Sequence, residues 1–206
     1  MRRTGTWLGI LAIGSLLIAV CFGMMQQSIR AQANIPVLEL STKLTHQILQ
    51  TGNVAQVLQD GHDRGINNLE PGTAGEPAAL VMNFAGTDLV VSTFDNWPSS
   101  IPLPPSGLFN AQEQFAGDTT SDVAIGAIDT VTWQPTDGLR FATIIQPLRV
   151  NAHTYFLVTF GNLAPYEHQT DLVFRVACVG EIMLILLCLL LAVVLRESVS
   201  SLEKTR

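Results

Sequence analysis

The chain has 206 residues, with 11 Lys and Arg against 17 Asp and Glu, a formal charge of −6, and 48% of its residues are apolar. That acidic balance excludes nucleic acid as a natural partner and argues against an anionic lipid surface. The apolar residues are unevenly placed: residues 7–25 contain no charge, and residues 176–195 contain one, Glu181.

Arg2 and Arg3 precede the first run, and Arg196, Lys204 and Arg206 follow the second. At ~1.5 Å rise per residue each run reaches across a ~30 Å hydrocarbon core, and the basic flanks place both ends in the cytoplasm. The expected layout is a cytoplasmic tail at 1–6, a transmembrane helix at 7–25, an extracytoplasmic domain at 26–175, a second transmembrane helix at 176–195 and a cytoplasmic tail at 196–206. Within 26–175 there are 14 Asp and Glu against 6 Lys and Arg, a net of −8 without the histidines, which suits export. Ala31-Gln32-Ala33 offers a competing reading of the first run as a cleaved signal peptide. The 19-residue run is longer than the usual ~7–15 of such a peptide, and Ala33 lies eight residues past its end, which favours an uncleaved anchor. Cys21, Cys178 and Cys188 all fall within the apolar runs, so the domain holds no disulfide and depends on its core. No Asn-x-Ser/Thr sequence occurs, which is compatible with a bacterial envelope protein.

Asn34 is placed to cap a helix with Pro36 in its first turn, and Val37, Leu40, Leu44 and Ile48 give that helix one apolar stripe. Asn53 with Gln56 predicts a second short helix carrying Val54, Val57 and Leu58 and stopping at Asp60-Gly61. On this reading the two helices leave the membrane directly, and the Pro36 junction makes the link to it imperfect. Residues 61–77 read as a loop. Residues 79–84 and 88–94 form an expected hairpin around Ala85-Gly86-Thr87, ended by Asn96-Trp97-Pro98. The long Pro/Ser/Gly-rich stretch 99–122 suits a lid or binding element. A third strand is expected over 123–133, and 139–150 with 154–160 make a pair joined through Asn151-Ala152-His153. Five antiparallel strands after two helices predict an α+β domain. From Pro165 a continuous helix is expected through Leu195.

Candidate sites are few. Glu181 stands out because an ionisable group inside a membrane span costs roughly 2.5–3.5 kcal/mol at the centre, and it lies five residues, about 8 Å, inside the second run. Two readings stand: a carboxylate that snorkels outward or is protonated, or a polar contact with a partner helix. Trp97, Trp133 and Arg140 are residue types common in recognition sites and are the candidate small-molecule ligands' contacts, although a strand-end Trp is more often core. Asp60, His62 and Asp63 invite a metal reading, but the other histidines lack ligand spacing and a solvated helix end suffices. No Gly-x-Ser-x-Gly, P-loop or Rossmann pattern is present, so neither an enzyme nor a cofactor is expected.

The segment ALVMNFAGTDLVVSTFDNWP, residues 79–98, is similar to the strand, Gly turn, strand and Trp-Pro of many extracytoplasmic sensor regions of bacterial two-component sensor histidine kinases. RFATIIQPLRVNAHTYFLVTFGNL, residues 140–163, looks like their final hairpin before the second membrane helix. The resemblance implies a PAS-like antiparallel sheet with N-terminal helices, held in the bacterial inner (cytoplasmic) membrane. It further implies a homodimer or a membrane signalling partner, and a small-molecule or protein signal sensed outside. Residues 196–206 hold no HAMP relay or kinase part, so the expected function is a sensory subunit relaying to a separate partner. The alternative is a structural or assembly protein of an envelope complex.

Overall fold

The structure, a computed structural model, describes residues 2–59, 69, 75–83, 85–94, 97–109, 123–151 and 153–204. Helix α1 spans Arg2–Thr51 and α2 spans Val54–Gln59. Strands β1 (Ala78–Asn83), β2 (Leu89–Ser92), β3 (Val123–Ile125), β4 (Asp129–Thr136), β5 (Leu139–Val150) and β6 (His153–Asn162) follow, and α3 spans Ala164–Lys204. The protein is α+β: a six-stranded antiparallel sheet is flanked in sequence by two long apolar helices, each long and apolar enough to cross a membrane. It divides into two compact units, Arg30–Glu167, and Met1–Ile29 together with His168–Arg206.

In the sheet unit the strand order is β2-β1-β6-β5-β3, with β4 also on β5. The β5–β6 hairpin is its centre, paired over ten positions from Phe141↔Asn162 to Val150↔His153. Asn151 turns the corner at φ 52°, a left-handed value that Asn tolerates better than most residues. Its amide nitrogen donates to the Gly52 carbonyl at 3.2 Å, tying the turn to the end of α1. Gly52 itself has φ 63° and donates its N–H to Ile48 O, the left-handed residue that ends a helix.

Because side chains alternate along a strand, the two faces have different coverings. Leu80, Met82, Phe141, Phe156, Val158 and Phe160 lie on one face with Phe94 and Trp133. Ala79, Val81, Leu148, Val150 and Leu157 lie on the other, against Leu44 and Ile48 of α1 and Val54, Val57 and Leu58 of α2. The α2 start follows the expected cap, with Asn53 Oδ1 accepting from Gln56 N at 3.1 Å.

Two expectations need correction. No helix starts at Asn34, because α1 runs unbroken through Pro36. Ala33, Val37, Ser41, Leu44 and Ile48 are all buried, and that stripe crosses Pro36 in one helical phase, which a break would destroy. Proline inside a helix costs ~3 kcal/mol, whereas burying Val37 and Ile48 completely contributes about 1.5–3 kcal/mol each. The second correction concerns the single third strand, which is two. β3 pairs with the 148–150 end of β5 and β4 with its 139–145 end, so residues 126–128 bulge opposite Gln146 and Pro147. Pro147 has no N–H to donate there, and its carbonyl is taken by Gly126 N at 2.8 Å.

The close approach of α1 to the sheet depends on Gly161, where an added Cβ would stand 3.0 Å from Val37 Cγ2. Gly161→Val is expected to lower stability by about 1–3 kcal/mol through overpacking, and Gly161→Ala by less. Denaturant melts followed by tryptophan fluorescence check the order.

Candidate functional site

Three features of the described residues carry chemistry or motion: the aromatic face of the sheet, a polar seam under α1, and the contact between the apolar helices. On the aromatic face, Trp97 stacks on Trp133 at 6.2 Å between ring centroids and 19° between planes, and both meet Phe160 edge-on. Trp97 Nε1 donates to Ile101 O at 2.7 Å, fixing the segment after β2 over the sheet. Leu103, Leu108 and Phe109 from the long stretch 99–122 pack on the same face; residues 110–122 of that stretch lie outside the described residues, as do Asp60, His62 and Asp63.

Trp97 and Trp133 therefore come together, but as packing, and Trp133 is 3% exposed. Arg140 does not join them. It precedes Phe141 in β5 and so points to the opposite face, where Nη1 donates to Glu167 Oε1 at 2.6 Å. Both side chains are 47% exposed, and such a pair is worth about 0.2–1 kcal/mol. The pairing nevertheless fixes the first turn of α3 to β5. That helix starts one residue after β6, and Asn162 Oδ1 accepts from Ala164 N at 2.9 Å.

The seam lies between α1 and β5. Gln146 is 6% exposed, and its Oε1 accepts from Thr45 Oγ1 at 2.9 Å and Ser41 Oγ at 3.3 Å. On the same sheet face, next to Ile144, Thr159 is wholly buried with its hydroxyl unpartnered. An unmade buried hydrogen bond costs about 1–3 kcal/mol. Ser41, Thr45 and Gln146 escaped the sequence reading. Their signal was present, as two hydroxyls interrupting the stripe from Val37 to Ile48 and one amide inside an apolar strand.

In the second unit the two apolar helices pair side by side. Phe22 meets Phe174 edge-on at 5.8 Å, and a Cβ added at Gly14 would strike the Leu184 side chain, so a missing side chain admits the close approach. Between these contacts Ser15 Oγ donates to Glu181 Oε1. Glu181 thus meets a polar group of its own chain. The pairing also sets it level with Ser15, ten residues from Met25 at the end of the first run, or about 15 Å along the helix. A hydroxyl is the smallest group that satisfies a carboxylic oxygen there without adding charge.

Ser15→Ala and Glu181→Leu are expected to be non-additive, with a coupling of about 0.6–1.7 kcal/mol, read from sodium dodecyl sulfate unfolding of the full chain in mixed micelles. Full additivity would remove the coupling. Trp133→Ala should cost about 3–5 kcal/mol, while Arg140→Ala should cost under about 1 kcal/mol; thermal melts separate them. Comparisons with family models, with curated proteins and with solved structures found no match.

Proposed function

We propose that this chain is a membrane-anchored sensory subunit of the bacterial inner membrane. Its PAS-like sheet domain stands outside, and it relays a ligand or protein signal through α1 and α3 to a signalling partner, with a homodimer as the working form. The observation that carries this reading is the way both apolar helices join the sheet. The stripe of α1 that carries Val37, Ser41 and Ile48 packs on the sheet, and α3 begins one residue after the central strand β6. Neither helix is tethered by a loose linker, so a shift in β5 or β6 has direct mechanical purchase on both.

Further support comes from the central hairpin, which is the segment whose sequence resembles the last hairpin of such sensors, and from the unpartnered hydroxyl of buried Thr159 beside the seam. Ala31-Gln32-Ala33 lies within α1 and Ala33 is buried, which favours an uncleaved anchor. Arg140 and Glu167 add a latch between β5 and α3. The described residues of the aromatic face are apolar or aromatic, so an apolar or aromatic ligand, or a protein contact that moves the segment 97–109, is the kind of signal it suits.

Two measurements test the reading. Alkaline phosphatase fused within 75–109 should be active, and fused at either end inactive; the reverse pattern would invert the topology. In a thermal-shift screen of the full chain against metabolites and divalent ions, a true ligand at about 100 times its Kd contributes ~2.7 kcal/mol and raises the melting temperature. Gln146→Leu should preserve ligand binding and block its effect on cross-linking between engineered cysteines on α1 and α3. Unaltered cross-linking in the wild type on ligand addition would favour the structural or assembly role.

A further inference from the structure

The paired apolar helices enclose a groove of about 440 Å³ whose walls are almost wholly hydrocarbon, supplied by Cys21, Phe22, Leu172, Val176, Ala177 and Gly180 among others. Its size is that of a small-molecule site, ~300–1,000 Å³. The small residues Ala177 and Gly180 leave the space open; a Cβ at Gly180 would meet only Ile18 Cδ1, at 3.9 Å. Leu172 also lines a second recess, of about 230 Å³, whose other lining residues are His168, Asp171 and Arg175. Hydrocarbon wall and charged mouth are therefore joined at one residue. That combination matches an amphiphile, one part apolar and the other ionic.

The mouth carries both signs. Arg175 Nη2 meets Asp171 Oδ2 at 2.7 Å, with side chains 74% and 52% exposed. An exposed pair of this kind is worth about 0–1 kcal/mol, so it opens at little cost to meet another pair of charges. His168 offers a ring N–H in either tautomer. An anionic head would find Arg175 but would face the carboxylate of Asp171. A head with a phosphodiester and an ammonium satisfies both members of the pair.

We propose that the groove holds one zwitterionic phospholipid of the ethanolamine or choline class. Its acyl chain lies along Cys21, Val176 and Gly180, its phosphodiester at Arg175 and His168, and its ammonium at Asp171. The proposal rests on both helices being membrane spans and is independent of what the sheet domain senses. A second copy of the chain laid in the groove would bring an apolar helix face to a mouth of three polar side chains, which fits less well.

The test uses the full chain, extracted from membranes in mild detergent, delipidated and titrated with phosphatidylethanolamine or phosphatidylglycerol of identical acyl chains under native mass spectrometry. The expected result is one bound phosphatidylethanolamine per protomer, about tenfold tighter than phosphatidylglycerol. Gly180→Leu should weaken it about tenfold by filling the groove, with Ala177→Leu as a second filling variant should the first misfold. Arg175→Gln should erase the preference between the two lipids. Equal binding of both lipids by the wild type, or unchanged binding in both filling variants, would overturn the proposal. So would an intermolecular Cys21 cross-link, in a Cys178→Ala/Cys188→Ala background, that forms undiminished in lipid-saturated protein. Absence of the chain from the membrane fraction would instead refute the membrane reading on which the proposal stands.

Discussion

The packing of α1 on the β5–β6 hairpin is the interaction on which the sheet unit depends. The central strands are buried on both faces, so each needs a cover on both sides, and α1 with α2 supplies one of them. The cover works only if Ala33, Val37, Ser41, Leu44 and Ile48 keep one helical phase, and only if Gly161 lets Val37 approach. Pro36 is tolerated because the burial on either side of it outweighs the lost hydrogen bond. The opposite cover is aromatic and rests on Trp97, Trp133 and the segment they hold.

The apolar helix pair obeys a different economy. On the proposed membrane placement there is little gain from burying one apolar side chain against another, so close approach at Gly14 and the Ser15–Glu181 hydrogen bond carry the specificity. The same shortage of large side chains at Ala177 and Gly180 leaves the groove. A carboxylic group satisfied by a neutral hydroxyl, level with the middle of the first run, is a contact that fixes register more than it adds stability.

Most of the fold was legible because it is written in local pattern. β5 begins and ends where alternation and turn residues place it, α2 starts at its Asn53 cap, and α3 runs on from Pro165 with no breaker. The break between β3 and β4 was not legible, because it is imposed by Pro147 on the neighbouring strand, a partner known only once the sheet is formed. Helix α1 was misread at Pro36 for a related reason: local propensity marks a boundary, and tertiary burial overrides it. Glu181 was recognisable from its type alone, whereas Ser15 is an ordinary residue until the helices pair. Trp97 stacks on Trp133, whereas strand alternation sends Arg140 to the other face of the sheet.

The unbroken helix is the claim from which the rest follows, and hydrogen exchange across residues 26–40 of the full chain in lipid nanodiscs tests it most directly. A continuous α1 predicts slow amide exchange on both sides of Pro36, with Ala33 and Val37 protected to a similar degree. Fast exchange at residues 31–35 beside a protected 37–48 would show a hinge at Pro36 and contradict the account.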